Sequence, residues 1–295
     1  MIAVGIPAFN EEKNLASIIA KLTESNYSVI VCNDGSTDMT GKIAGKMGAV
    51  VINHPKNLGY GAAIRSIFQK ANELNCDLLI TFDADGQHRI EDITTLVNPI
   101  KNGKADIVIG SRFLKGNNNS IPNYRKVGIK TITKLSNIST AMNLTDAQSG
   151  LRAYNKKAMR EIILSDSGMG VSTEIIIKAR KKGLIIAEVP VKVLYGEKTS
   201  KHPPVSHGIS VILSTMKFIS IEHPLKFYGM PGLVLLTIGL FFIVWTLQEF
   251  GETRIIITNL ALIGTSSTIL GMILLVTAIM LFSLVNVVRE KRSGG

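Results

Sequence analysis

The sequence has few cysteines and no secretory signal. Its two cysteines, Cys32 and Cys76, lie beside apolar runs and lack metal-ligand spacing. A single pair cannot build a disulfide framework, so we expect two buried free thiols in a reducing compartment. The first apolar run ends at Pro7 and is followed by Glu11 and Glu12, a pattern that does not match a secretory signal. The N-terminal domain is therefore expected to stay in the compartment where it is made.

Two common nucleotide-binding loops are also missing. No Gly-x-x-x-x-Gly-Lys-Ser/Thr loop occurs, and the glycines at 59 and 61 lack the third glycine of a dinucleotide-binding loop. ATPase and NAD-enzyme interpretations are thereby weakened. The chain has a formal net charge of +11, most of it in residues 1–225. Such a charge suits an anionic membrane surface, phosphorylated substrates or nucleic acid, and the membrane anchor described next argues against nucleic acid.

Charge is absent from two long stretches, residues 227–248 and 255–288. A charged side chain at the centre of a spanning helix costs roughly 2.5–3.5 kcal/mol, so such gaps are typical of transmembrane helices. We expect a hairpin of two spans at about 228–248 and 266–288 within residues 226–295, with 255–262 either in the turn or extending the second span. Lysine and arginine flank its outer ends, which predicts a multi-pass cell-membrane protein with both ends in the cytoplasm.

Apolar residues recur at helical spacing just before the first span, at Ile209, Ile212, Leu213, Met216 and Ile219. Residues 208–225 are therefore predicted to form an amphipathic helix. It either packs on the preceding domain or lies in the membrane interface, and its place directly before a span favours the interface.

Residues 1–207 alternate short apolar runs with longer amphipathic segments. Strands are predicted at 2–6, 29–32, 50–52, 78–82 and 107–109, and helices at 11–25, 39–47, 61–74, 90–101 and about 123–142. The alternation predicts an α/β fold with a mostly parallel sheet of buried strands, followed by a smaller mixed region to residue 195. Sheets of this kind bind ligands at the carboxyl ends of their strands, so the residues after each strand form the candidate site.

A pair of carboxylates follows the fourth predicted strand, in the sequence Asp-Ala-Asp-Gly-Gln at 83–87. Asp83 and Asp85 repel one another unless a cation lies between them, and Mg²⁺ and Mn²⁺ prefer oxygen ligands and keep positions open for phosphate. This pattern favours a metal that holds a nucleotide diphosphate over a solvated turn rich in Asp and Gly. The nearby His88 and the distant His207 are interpreted as surface or core polar groups.

Polar residues also follow the first two predicted strands. Asp34 lies at the carboxyl tip of the second, where it can accept hydrogen bonds from a base or ribose. Ser36, Thr37 or Asp38 can cap the helix that follows. Glu11 follows the first strand and is a candidate to face the same ligand.

Together these motifs resemble glycosyltransferase family 2, and more closely its dolichyl-phosphate mannose synthase and polyprenyl-phosphate glycosyltransferase branch. The resemblance covers residues 1–207 and implies a GT-A nucleotide-sugar-binding domain. Its motifs, in the family's order, are Pro-Ala-Phe-Asn-Glu at 7–11, Asn-Asp-Gly-Ser-Thr-Asp at 33–38, Asn-Leu-Gly-Tyr-Gly at 57–61, Asp-Ala-Asp-Gly-Gln at 83–87, Gly-Ser-Arg at 110–112, Asp-Ala-Gln-Ser-Gly-Leu-Arg at 146–152 and Thr-Ser-Lys at 199–201.

The resemblance also implies roles for individual residues. Asp83, Asp85 and Gln87 would bind Mg²⁺ or Mn²⁺, with Asp83 also close to the nucleotide. Arg112, Arg125 and Lys201 would meet the acceptor phosphate and, with Asp85, carry catalysis. The residues that would hold the nucleoside are Pro7, Ala8, Glu11 and Asp34.

The implied reaction is a metal-dependent, inverting transfer of a hexose from GDP-mannose or UDP-glucose to a polyprenyl (dolichyl) phosphate at the cytoplasmic face. The sequence departs from the family in one place, because no arginine precedes the Thr-Ser-Lys motif; Lys192 or Lys198 replaces it only in part.

Two alternatives remain at this point. The acceptor could be a lipid or glycan hydroxyl, which needs a positioned carboxylate as base, and Asp146 and Glu174 are the candidates. The chain could also be a membrane-anchored nucleotide-sugar-binding subunit without activity, against which the complete metal motif argues. The sequence leaves the oligomeric state open.

Overall fold

A computed structural model describes residues 1–114, 123–193, 216, 220 and 224–293 of the chain. The chain divides into two compact units, Met1–Thr215 and Met216–Gly295. The loop that contains Lys201, and most of the helix predicted at 208–225, lie outside the described residues, as does the side chain of Arg125.

The first unit is built on a seven-stranded sheet with the strand order β3-β2-β1-β4-β6-β5-β7. All neighbouring pairs are parallel except those of β6, which lies antiparallel between β4 and β5. The strands are β1 (Ile2–Ala8), β2 (Ser28–Asn33), β3 (Val50–Asn53), β4 (Leu78–Thr81), β5 (Ile107–Ser111), β6 (Arg152–Asn155) and β7 (Ile186–Pro190).

Helices cover both faces of this sheet. Its central strands β4 and β5 are therefore buried at every position. The helices are α1 (Glu12–Glu24), α2 (Thr40–Lys46), α3 (Tyr60–Glu73), α4 (Asp92–Lys101), α5 (Asn123–Thr140), α6 (Lys156–Glu161) and α7 (Val171–Lys181). One core cluster joins the sheet to α3, α6 and α7, and the other joins it to α1, α2 and α4. The predicted α/β fold with a mostly parallel sheet is confirmed.

The third strand differs from its prediction in one respect. It was expected to be buried, but β3 is the edge strand next to β2, and Val50 is 39% exposed. An apolar run of this length has the composition of a central strand. Its position at the edge depends on the strand order, in which β2 is the only described strand that pairs with β3.

The second unit contains two long apolar helices. A π-helical turn (Leu225–Gly229) leads into α8 (Met230–Thr253), and α9 spans Thr258–Ser293. The segments Leu225–Thr253 and Thr258–Val285 are long and apolar enough to cross a membrane. Residues 258–262, which the sequence left between the turn and the second span, belong to α9.

Glycines bring α8 and α9 into close backbone contact. A Cβ atom added to Gly239 would lie 2.5 Å from the backbone nitrogen of Thr268, and one added to Gly271 would lie 2.6 Å from that of Leu236. Small residues at such points let helices approach closely in apolar surroundings, where packing replaces the hydrophobic effect as the driving force.

We therefore expect Gly239→Ala to destabilise the hairpin by about 1–3 kcal/mol, the usual cost of overpacking. The midpoint of SDS-induced unfolding, followed by the fluorescence of Trp245, the single tryptophan, would fall. Gly251→Ala is the matched control, because nothing lies within 4 Å of its added Cβ. Equal midpoints for the two variants would contradict this packing.

Candidate active site

Five loops meet at one edge of the sheet. The parallel strands β1, β2, β4 and β5 all end there, and the antiparallel β6 begins there, since Thr81 and Ile109 both pair with Arg152. The motifs at 7–11, 33–38, 83–87, 110–112 and 146–152 therefore lie along one edge, as the rule for open α/β sheets predicts.

The loops after β1 and β2 are bonded to each other. Asn10 adopts a left-handed conformation (φ 55°); its backbone nitrogen donates to Ser36 Oγ at 3.0 Å and its side-chain oxygen accepts from Thr37 N at 2.9 Å. The backbone nitrogen of Glu11 donates to Thr40 Oγ1 at 2.8 Å. Asp38 Oδ1 accepts from Thr40 N at 2.9 Å, so Asp38 meets the first N–H group of α2 from the position before the N-cap residue, Met39.

Asp34 is almost fully buried at the tip of β2. Its Oδ1 accepts from Leu58 N at 2.9 Å and lies 2.6 Å from His54 Nδ1, and its Oδ2 accepts from Gly59 N at 2.9 Å. The carboxylate therefore fixes the turn that starts α3. The contact with His54 was not anticipated from the sequence, because nothing in the spacing of two residues on different strands shows that they touch.

Asp83 lies between two donors from different elements. Tyr60 Oη donates to its Oδ1 at 3.3 Å, and His88 Nε2 lies 3.1 Å from its Oδ2. Burial raises the pKa of this carboxyl, but the hydrogen bonds from His88 and Tyr60 and the charge of Arg112 outweigh burial and leave the pKa below its ordinary value. Asp83 is therefore ionised at neutral pH. His88 is a buried polar group, as expected, and it also bonds to the metal motif.

The rest of the motif is held locally. Asp85 Oδ1 accepts from Gln87 N at 2.9 Å, and Gln87 is buried. A Cβ added to Gly150 would lie 2.5 Å from Asp83 Oδ2, so only glycine fits beside this carboxylate.

These residues fit a divalent cation that is shared with a ligand. Within the described ranges, no group of three or more His, Cys, Asp or Glu side chains is placed to hold a metal ion by itself. Mg²⁺ and Mn²⁺ commonly take one or two carboxylates from the protein and complete their shell with water and substrate phosphates. An ionised Asp83 with Asp85 beside it offers that donor set, and Gln87 offers an amide oxygen on the same turn.

Arg112 follows β5 and is clamped by Asp146. Its Nε donates to Asp146 Oδ2 at 2.6 Å and its Nη2 to Asp146 Oδ1 at 2.8 Å, a bidentate pair. The loop that carries Asp146 is fixed by Glu188 on β7, whose Oε1 accepts from Asp146 N at 2.9 Å. Burial raises the pKa of Glu188, against the hydrogen bonds from the backbone of Thr145 and Asp146 that lower it.

The second candidate base, Glu174, is equally engaged. It is fully buried, accepts from the backbone nitrogens of Ser165 and Asp166 at 2.8 and 2.9 Å, and pairs with Lys178. Neither Asp146 nor Glu174 thus presents a solvent-exposed carboxylate, since both side chains are 0% exposed.

The last residue of the motif at 146–152 has a structural role. Arg152 is the largest fully buried side chain, and it donates to the carbonyl oxygens of Ala147, Ser149 and Ser172 at 2.8, 2.8 and 3.0 Å. It therefore ties the loop beside Asp83 to α7. The structure thus brings together Pro7, Ala8, Glu11, Asp34, Asp83, Asp85, Gln87 and Arg112 at one edge of the sheet.

Comparison with known proteins gives one family. Residues 3–163 match the model of glycosyl transferase family 2. The chain is 34% identical over 218 residues to the UDP-N-acetylglucosamine–dolichyl-phosphate N-acetylglucosaminyltransferase of Methanococcus voltae, covering 67% of this chain and 87% of the relative. It is 29% identical over 228 residues to the dolichyl-phosphate hexose transferase of Haloferax volcanii, covering 76% and 96%.

A solved structure shares the fold. Glucosyl-3-phosphoglycerate synthase from Mycobacterium tuberculosis, in a complex with Mn²⁺, UDP and glucosyl-3-phosphoglycerate, superposes with a TM-score of 0.56 at 19% identity, over 74% of this chain and 79% of that one.

Replacing Arg152 should destabilise the first unit more than any surface arginine does. Arg152→Met removes the donors of three buried carbonyl groups, and we expect a loss of about 3 kcal/mol or more in the free energy of unfolding. Thermal and urea denaturation of the full chain in detergent, followed by far-UV circular dichroism, measures it. Arg160→Met, at an exposed position on α6, is the matched control and should stay within about 0.5 kcal/mol of the parent. A similar loss in both variants would refute the role of Arg152.

Proposed function

The chain belongs to glycosyltransferase family 2, and from this premise we propose that it transfers a hexose from a nucleotide sugar to a polyprenyl phosphate at a membrane surface. The observation that carries the proposal is the carboxylate pair Asp83 and Asp85 at the edge of the sheet that also presents Arg112. Relatives named as dolichyl-phosphate transferases support the acceptor class.

The donor side of the site consists of the first three loops. We assign the nucleoside to Pro7, Ala8, Glu11 and Asp34, which lie at the ends of β1 and β2. Asp83, Asp85 and Gln87 would hold a Mg²⁺ or Mn²⁺ ion, which when bound supplies positive charge to the leaving diphosphate. GDP-mannose and UDP-glucose are the donors to test first.

The acceptor side begins with Arg112. Asp146 holds its guanidinium in a fixed orientation, and Arg112 is close enough to Asp83 to lower the pKa of that carboxyl. A guanidinium held in this way can meet a phosphate without first losing side-chain freedom. We assign Arg125 and Lys201 to the same phosphate.

The buried carboxylates support a phosphate acceptor over a hydroxyl acceptor. A hydroxyl needs a base within reach of its proton, but both oxygens of Asp146 bond to Arg112 and both oxygens of Glu174 bond to backbone nitrogens. A phosphate monoester is already ionised near neutral pH and attacks the anomeric carbon without a base. The anomeric C–O bond to the diphosphate then breaks as the new C–O bond forms, with inversion, and the electron pair leaves on the diphosphate.

The apolar hairpin would keep the enzyme beside its lipid acceptor. Positive charge at the outer ends of the two helices, Lys226 before the first and Arg289, Lys291 and Arg292 after the second, supports a cytoplasmic location for both ends. The proposed location is therefore a multi-pass cell-membrane protein with its catalytic unit on the cytoplasmic side.

Transfer of radiolabelled sugar to dolichyl phosphate tests the proposal. GDP-mannose, UDP-glucose and UDP-N-acetylglucosamine are each incubated in detergent with the protein and Mg²⁺ or Mn²⁺. We expect one donor to give a chloroform-soluble product that mild acid releases, and Asp85→Ala or EDTA to reduce its formation at least about a hundredfold, because the leaving diphosphate loses its counter-charge. Donor hydrolysis without a lipid product would move the acceptor to water or a hydroxyl, and no turnover with any donor would refute the assignment.

Gly150→Ala should weaken cation binding without unfolding the protein. The added Cβ displaces the Asp83 carboxylate, so we expect a rise of roughly tenfold in the Kd for Mn²⁺, measured by electron paramagnetic resonance in the presence of GDP or UDP. Gly128→Ala, whose added Cβ meets nothing within 4 Å, should leave this Kd unchanged. If both variants bind Mn²⁺ as the parent does, Asp83 is not a ligand.

A further inference from the structure

The structure contains a partly buried hydrogen-bonded chain that ends on Asp34, which we assign to the nucleoside. His54 Nδ1 lies 2.6 Å from Asp34 Oδ1, and His54 Nε2 lies 2.9 Å from Ser66 Oγ. The three residues come from three elements: the tip of β2, the residue after β3, and the middle of α3. His54 is fixed through its backbone as well, because its nitrogen donates to Asn33 O at 3.0 Å.

The partners of the imidazole define its tautomer. A carboxylate only accepts hydrogen bonds, so Nδ1 must carry the proton that faces Asp34, and Nε2 can accept from the hydroxyl of Ser66. Cys32 Sγ, 3.6 Å from Nε2, does not compete as an anion, because burial and the charge of Asp34 raise the pKa of its thiol to about 12. The Nδ1–H group of the ring is thus aimed at Asp34.

Asp34 has little freedom once these bonds are made. Its Oδ1 is used by His54 and Leu58 N, whereas its Oδ2 accepts from Gly59 N and can take one more donor. Asp34 is only 4% exposed, so the direction of the carboxylate decides whether that remaining position faces a ligand.

We infer that His54 is a positioning residue for donor recognition: with Ser66 it holds Asp34 so that Oδ2 presents one acceptor to an N–H or O–H group of the nucleoside. The inference rests on the proposed function, since it assigns Asp34 to the nucleoside. The connectivity Asp34–His54–Ser66 is that of a hydrolytic triad, but here the carboxylate also anchors two backbone nitrogens and the serine lies inside a helix, so the arrangement orients the carboxylate.

The test is nucleotide affinity in variants of the full chain in detergent. Isothermal titration with GDP and with UDP, in the presence of Mg²⁺, gives Kd for the parent, His54→Leu, His54→Asn and Ser66→Ala. His54→Leu removes the donor to a charged acceptor, and we expect a rise in Kd of roughly tenfold or more. His54→Asn keeps an N–H near the position of Nδ1 and should recover much of the affinity, and Ser66→Ala should raise Kd only about two- to threefold.

Turnover separates positioning from catalysis and from unfolding. In the lipid-transfer assay, we expect the His54 variants to raise the KM for the donor and to leave kcat at saturating donor within about twofold. Two results would overturn the inference. One is an unchanged Kd in His54→Leu. The other is an equal loss of affinity in His54→Leu and His54→Asn, with kcat lowered and the KM for the donor unaltered. If His54→Leu fails to fold, the other two variants still decide the question. An affinity equal to that of the parent in Ser66→Ala, combined with no measurable affinity in a folded His54→Asn, would contradict the expected order of the Kd values.

The two proposals fail in different ways. A parent enzyme that makes the lipid product while its His54 variants bind nucleotide normally leaves the proposed function intact and removes the role of His54. A parent enzyme that binds neither GDP nor UDP overturns both.

Discussion

The candidate site depends on the pairing of charges that the fold has removed from water. A carboxylate that is buried without partners costs several kcal/mol, and Asp34 and Asp146 are almost fully buried at the edge of the sheet where the strands end, with the partly exposed Asp83 beside them. Asp34 accepts from the turn that begins α3, Asp83 lies beside Tyr60 at the start of α3 and His88 on its own loop, and Asp146 accepts from Arg112 after β5. The loops therefore hold one another in place, and the geometry of the site depends on these hydrogen bonds and ion pairs.

This arrangement also separates two kinds of acidic residue. Glu174 and Asp146 are enclosed and bonded on both oxygens, so they shape the loops that carry them. Asp83 and Asp85 lie two residues apart on the turn that follows the central strand β4. At this end of an open α/β sheet, ligands commonly bind. In the proposed reaction, the chemistry at this edge is therefore electrostatic, and no proton transfer is needed because the acceptor phosphate is already ionised.

Local patterns in the sequence predict much of this structure, and contacts between distant residues account for what they miss. The first five strands and the first helices follow from apolar periodicity, and the family motifs predict which loops meet. The antiparallel insertion of β6 and the edge position of β3 depend on strand order, which no window of the sequence contains. The pair of His54 with Asp34 joins two residues whose spacing has no meaning until β2 and β3 lie side by side.

The direction of β6 has a consequence for how such an enzyme can diversify. Because β5 leaves the sheet and the antiparallel β6 enters it at the same edge, with Ile109 paired to Arg152, the whole excursion from residue 112 to 151 begins and ends beside the site. Changes of length in the exposed loops of that excursion leave the order of the strands unchanged, because β5 and β6 are antiparallel neighbours. Under the proposed assignment, changes of length in this segment would reshape the acceptor side of the site, whereas the residues assigned to the nucleotide and the metal follow β1, β2 and β4.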